Sequence, residues 1–126
     1  MIGERIGCIG LSGGGCRAAL LQATGDEMAA AGVVGMMSTY EGLLDQHLHQ
    51  KTWMFVPPGL AAYADWPDLA ASRAPAPLLV QYNRHDPLFS LRRMRAARAR
   101  IEAHYRSVGQ PDSYVGEFYD GLHKFD

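Results

Sequence analysis

Three residues of this chain carry the side chains needed for acyl transfer, and each stands at a turn: Ser12, Asp86 and His123. A serine hydroxyl attacks a carbonyl only when a base within hydrogen-bond reach takes its proton, and the base needs a third group to hold its tautomer. His123 can supply the base and Asp86 the orienting acid. Their order along the chain, Ser then Asp then His, is one of the recurring orders of such triads. Ser12 has the most informative surroundings. An apolar run, Ile6-Gly7-Cys8-Ile9, leads into Gly10-Leu11-Ser12-Gly13-Gly14, and an Ala/Leu-rich run at helical spacing follows. This reads as strand, sharp turn, helix, with Gly10 and Gly14 giving the backbone room on either side of Ser12. Such a turn lifts the hydroxyl above the sheet edge. It also aims the Gly13 N–H, at the start of the helix, toward the same spot, which makes Gly13 a candidate oxyanion donor.

Other readings of these residues compete. A Gly/Ser-rich turn can be plain punctuation between a strand and a helix. Gly13-Gly14-Gly15-Cys16-Arg17-Ala18 also fits the Gly-x-Gly-x-x-Ala fingerprint of dinucleotide-binding folds, although Ser38 and Thr39 stand where a ribose-binding acid is expected. A third reading keeps the fold as a binding module without catalysis. His85 is a weaker base than His123, because it neighbours the acid instead of lying on a loop of its own. His47 and His49 have no acidic or Cys ligand at a sensible spacing, so no metal site is expected. Cys16 falls inside the predicted helix and is not taken as the nucleophile.

The elements that must position these residues alternate. A strand from Arg5 ends at the elbow and a helix follows. Ala29 to Met37 reads as a second apolar strand, and Ser38-Thr39-Tyr40-Glu41 as the start of a helical segment. Trp53, Met54 and Phe55 lie in a loop-like stretch from Lys51 to Gly59, where aromatics can wall a pocket or simply pack. Asp65-Trp66-Pro67-Asp68 looks like a helix start, and Leu78 to Tyr82 like a buried third strand after the break at Pro75-Ala76-Pro77. Ser90 to Ser107 is the clearest helix, with Leu91, Met94, Arg98, Ile101, Tyr105 and Val108 near one face and Gly109 ending it. Tyr114 to Tyr119 is a fourth strand. The alternation predicts an α/β fold, a parallel sheet with helices on both faces, in which working residues sit at the carboxyl ends of the strands. Ser12, Asp86 and His123 all fall on that edge.

Composition sets the class. The chain has 126 residues, enough for one domain, with 48% hydrophobic and 20% charged residues and a formal net charge of -1. No global field favours nucleic acid or an anionic membrane, so neither is expected as a partner. Six of the twelve Lys and Arg residues are the arginines 92, 93, 95, 98, 100 and 106, which are read as a solvated helix face. Two cysteines make no disulfide framework and fit a reducing compartment. No apolar run spans a bilayer and no basic-then-apolar leader precedes the first strand, so a cytoplasmic location is expected.

Gly10-Leu11-Ser12-Gly13-Gly14-Gly15, Pro77-Leu78-Leu79-Val80, Asp86-Pro87-Leu88-Phe89 and Gly116 to Phe125 together resemble α/β-hydrolases, in particular the dienelactone-hydrolase-like and acetyl-xylan-esterase-like branch. The resemblance runs the length of the chain. It implies Ser12 as nucleophile, Asp86 as acid, His123 as base and the Gly13 N–H as one oxyanion donor, acting on small-molecule esters without a cofactor; a serine peptidase of the same fold is the alternative. Dienelactone hydrolase has Cys at the elbow, so Ser12 points to a serine esterase. The family fold has about eight strands, and residues 1–126 resemble its C-terminal half, about strands five to eight. The resemblance therefore implies a partial domain, truncated at both ends, without the loop that carries the second oxyanion donor. It also implies an open first strand prone to self-association.

Overall fold

Apolar runs separated by helices give four strands, each returned to the same end of the sheet by the element before it. The computed structural model describes residues 5–41 and 55–126. Its strands are β1 (Ile6–Leu11), β2 (Met28–Val34), β3 (Leu78–Asn83) and β4 (Tyr114–Tyr119); its helices are α1 (Gly13–Thr24), α2 (Trp66–Ala71) and α3 (Leu91–Ser107). The strands pair in parallel in the order β1-β2-β3-β4. This is the predicted α/β class.

The register sorts the side chains. Cys8, Ala31, Leu78 and Tyr114 lie in one row across the sheet, and Ile9, Gly32, Leu79 and Val115 in the next, pointing the other way. The first face is the core. Ala31, Val33, Leu78, Val80, Tyr82 and Tyr114 pack there with side chains from α1 (Cys16, Ala18, Ala19), α2 (Trp66, Ala70, Ala71) and α3 (Met94, Ala97, Ile101, Tyr105). All three described helices thus share one layer. On the second face Ile9 is 62% and Val115 45% exposed. Ile6, Cys8 and Ile9 suit a strand with neighbours on both sides, yet β1 is the outer strand of the described sheet.

Several boundaries differ from expectation for local reasons. β2 stops at Val34, because Gly35 takes a left-handed conformation (φ +59°) that turns the chain out of the sheet. Met36 and Met37, expected in the strand, are buried beyond it. Tyr40 and Glu41 begin a helical turn; the rest of that predicted segment, with His47, His49, Trp53 and Met54, lies outside the described residues. Phe55 is a packing residue. It is buried edge-to-face against Phe89 at 5.9 Å, and its carbonyl accepts the Trp66 indole N–H at 2.9 Å.

The helix ends follow their sequence signals. Asp65 caps α2 in a reciprocal box with Asp68 and also accepts the Tyr40 N–H at 2.9 Å. Asp68 in turn takes both arms of Arg100, at 2.7 and 2.6 Å, and a bond from His104 at 2.9 Å. Burial alone would raise the Asp68 carboxyl; the bonds from His104, the Asp65 backbone and Arg100 outweigh it and hold it below its ordinary value. Arg98 pairs with Glu102, and Arg93 with Glu41. The arginine-rich helix therefore spends several of its charges within the chain. No helix among the described residues is long and apolar enough to cross a membrane.

Candidate active site

The elbow is built by crowding. A Cβ at Gly10 would lie 2.2 Å from the Gly14 carbonyl, so only glycine lets β1 run this close under the first turn of α1. Gly14, expected to share that duty, faces open space. Gly15 takes it instead, since its Cβ would meet the carbonyl oxygens of Gly10 and Val34, each at 2.9 Å. Between them Ser12 has φ 56° and ψ -117°, and it is the one non-glycine residue with positive φ among the described residues. Its own N–H donates to the Val34 carbonyl at 2.8 Å and its carbonyl accepts from Cys16 N at 2.9 Å, so the strained turn is fastened on both sides. The side chain makes no capping bond. The Gly13 N–H heads α1, where first-turn donors have no partner within the helix.

This strain has a measurable consequence. Holding a side-chain-bearing residue in such a conformation costs about 1–3 kcal/mol, part of which glycine recovers. Ser12→Gly should therefore be more stable than Ser12→Ala by about 1 kcal/mol, read as a higher melting temperature. Equal melting temperatures would show that the turn is not strained.

Asp86 and His123 are brought together from the ends of β3 and β4. Asp86 is buried, and its two oxygens are both used. Oδ1 accepts the Leu88 N–H at 2.8 Å, and Oδ2 lies 2.6 Å from Nδ1 of His123. The two loops are stitched by the backbone as well: Arg84 N donates to Tyr119 O at 2.9 Å, and His85 N to Gly121 O at 3.0 Å. The amide of buried Asn83 donates to Lys124 O at 3.1 Å. His85, the weaker candidate base, turns outward and pairs through Nε2 with Asp120 at 2.7 Å, both side chains exposed.

The His123 ring rests on the end of β2. Its Cε1 and Nδ1 approach the place a Gly35 side chain would occupy, one residue beyond the carbonyl that holds Ser12. All three predicted residues thus lie at the carboxyl edge of the sheet, Ser12 after β1, Asp86 after β3 and His123 after β4. The Asp86–His123 bond is made; among the described residues the Ser12 hydroxyl forms no hydrogen bond with His123. Catalytic hydrogen bonds are often loose until substrate arrives. Cys16 lies buried in α1, where desolvation outweighs nearby Arg17 and pushes its thiol up to about 11, leaving it protonated and inert. Gly35, Asn83 and the His85–Asp120 pair were not singled out by motif. The sign of Gly35 in the sequence is a second glycine, after Gly32, within one apolar run.

The dinucleotide reading keeps a strand-to-helix glycine turn, since Gly13 opens α1 directly after β1, but the described strands run in the order β1-β2-β3-β4, and among them there is no reversal of order that opens a cofactor crevice.

No protein-family model matches the sequence, and no curated protein matches it. Solved structures do. Methylesterase BT1017 is 22% identical with a TM-score of 0.72, over 100% of this chain and 27% of that one. A carbohydrate esterase family 15 glucuronoyl esterase from Caldicellulosiruptor kristjansonii is 15% identical with a TM-score of 0.73, over 95% and 39%. The acylaminoacyl peptidase of Pyrococcus horikoshii is 16% identical with a TM-score of 0.67, over 96% and 20%. The chain matches a part of the α/β-hydrolase fold, and it spans well under half the length of each of these three proteins.

Proposed function

We infer that this chain carries the catalytic residues of a serine hydrolase acting on carboxylic esters. The observation that carries the reading is the 2.6 Å bond from a buried Asp86 carboxylate to His123, whose ring lies at the strand end that anchors the strained Ser12 turn. With Asp86 accepting from Nδ1, the other ring nitrogen, Nε2, is left as the base. Ser12 Oγ attacks the ester carbonyl as Nε2 takes its proton, and Asp86 steadies the imidazolium. The carbonyl oxygen becomes an oxyanion that accepts a bond from the Gly13 N–H. Collapse expels the alcohol, which leaves with the proton from Nε2. Water, deprotonated by the same nitrogen, then attacks the acyl-Ser12 ester; the carboxylic acid departs and Ser12 regains its proton. No cofactor enters these steps.

The methylesterase and glucuronoyl esterases among the structural neighbours support ester substrates. The acylaminoacyl peptidase supports a second reading, amide cleavage by the same residues. The Ser elbow favours the serine esterases within the dienelactone-hydrolase-like and acetyl-xylan-esterase-like branch. Turnover by the 126-residue chain is expected to be weak, because Gly13 offers one oxyanion donor where such sites use two. The test is release of the chromophore from an activated acetate ester: slow but measurable release that disappears in Ser12→Ala. Equal rates for the chain and that variant would remove the reading.

A further inference from the structure

The imidazole of His123 is held on two sides, and only one of them is a hydrogen bond. The other is Gly35. An ideal Cβ at this position would stand 3.2 Å from Cε1 and 3.3 Å from Nδ1 of His123, and 2.9 Å from Cδ1 of Leu11. Carbon atoms in good contact are about 3.5–4.0 Å apart, so the ring edge occupies space that any side chain would claim. Two hydrogen bonds oppose a retreat of the backbone. Gly35 N donates to Gln81 O on β3 at 3.1 Å, and the preceding carbonyl, Val34 O, holds Ser12 N at 2.8 Å. Gly35 is thus tied to the strand that leads to Asp86 and to the turn that carries Ser12, while touching the residue between them in the reaction.

We propose that Gly35 is a positioning residue: its bare Cα is the seat on which the His123 ring stands between Asp86 and the Ser12 turn. The proposal rests on the reading of His123 as the base. Two needs for glycine coincide here, the left-handed φ of +59° and the space for the ring. They are separable, because asparagine tolerates a left-handed backbone yet brings a Cβ.

Gly35→Asn in the full chain is the test, with two readouts that a purely structural role would leave alone. One is the far-downfield proton resonance of His123 Nδ1–H bonded to Asp86. The other is the rate at which a fluorophosphonate probe modifies Ser12. The variant is expected to melt cooperatively, to lose or displace that resonance, and to react up to about 10-fold more slowly, because the ring must give by a few tenths of an ångström, short of the full ångström that can cost about 100-fold. Adding Leu11→Ala, which clears only the Leu11 side, should not restore either signal. An unchanged resonance and rate in Gly35→Asn, or recovery on adding Leu11→Ala, would overturn the proposal. Should the variant not fold, the unaltered chain decides: a nuclear Overhauser contact between Gly35 Hα and His123 Hε1 is expected, and its absence would overturn the seat. If the parent chain is not modified at Ser12 at all, the esterase reading falls, and the resonance by itself decides the role of Gly35.

Discussion

Asp86→Asn should slow acylation of Ser12 by about four orders of magnitude while leaving the chain folded. The argument is one of tautomers. Asp86 Oδ2 sits 2.6 Å from Nδ1 of His123, so the carboxylate requires a proton on Nδ1 and leaves Nε2 bare for the serine. An amide can offer its N–H to that position, which drives the proton to Nε2 and removes the base. Geometry is kept, because Oδ1, the oxygen that accepts Leu88 N, can remain an oxygen. The check is the rate of fluorophosphonate modification of the variant against the parent, beside a thermal melt of each. An unchanged rate would place the acid elsewhere. A lost rate with a lost melt would report unfolding instead.

The second large effect is a gain. Supplying the rest of an α/β-hydrolase domain as a matching N-terminal segment, co-expressed with this chain, should raise ester turnover by about 100- to 1,000-fold, the usual worth of one oxyanion donor. Exclusion of water from the Asp86–His123 pair should add to it. β1 is the outer strand of the described sheet, with backbone groups on its far side that no described strand pairs, and Ile9 on its second face is 62% exposed. An open apolar edge also templates association, so the chain alone should sediment as dimers or larger species, and the complemented form as a single complex. Near-full turnover by a monodisperse chain on its own would show that a second donor arises within these residues.

The elbow was legible in the sequence because its chemistry is local. Strand, glycine, serine and helix are adjacent, and the crowding at Gly10 follows from their spacing. The α3 boundaries were legible for a similar reason, between Ser90 and left-handed Gly109. What escaped depends on partners far along the chain. Gly15 replaces Gly14 as the packed glycine because Val34 O, from the next strand, lies over it. β2 reads too long in the sequence because Met36 and Met37 are as apolar as strand residues; only the φ of Gly35 ends the strand. The sequence around Phe55 suits a pocket wall and a core equally, and the contacts with Phe89 and Trp66 put it in the core. The pairing of Asp86 with His123 could be anticipated from their strand-end positions, whereas the stitching of their loops by Arg84, His85 and Asn83 could not.

The central claim, that Ser12 is a nucleophile activated by His123, is tested most directly by mass spectrometry of the chain after brief exposure to a fluorophosphonate. The account predicts a single adduct, mapped to Ser12 by peptide sequencing, that is absent from His123→Ala although this variant remains folded. An adduct at another residue, or one that forms as fast in His123→Ala as in the parent chain, would contradict it.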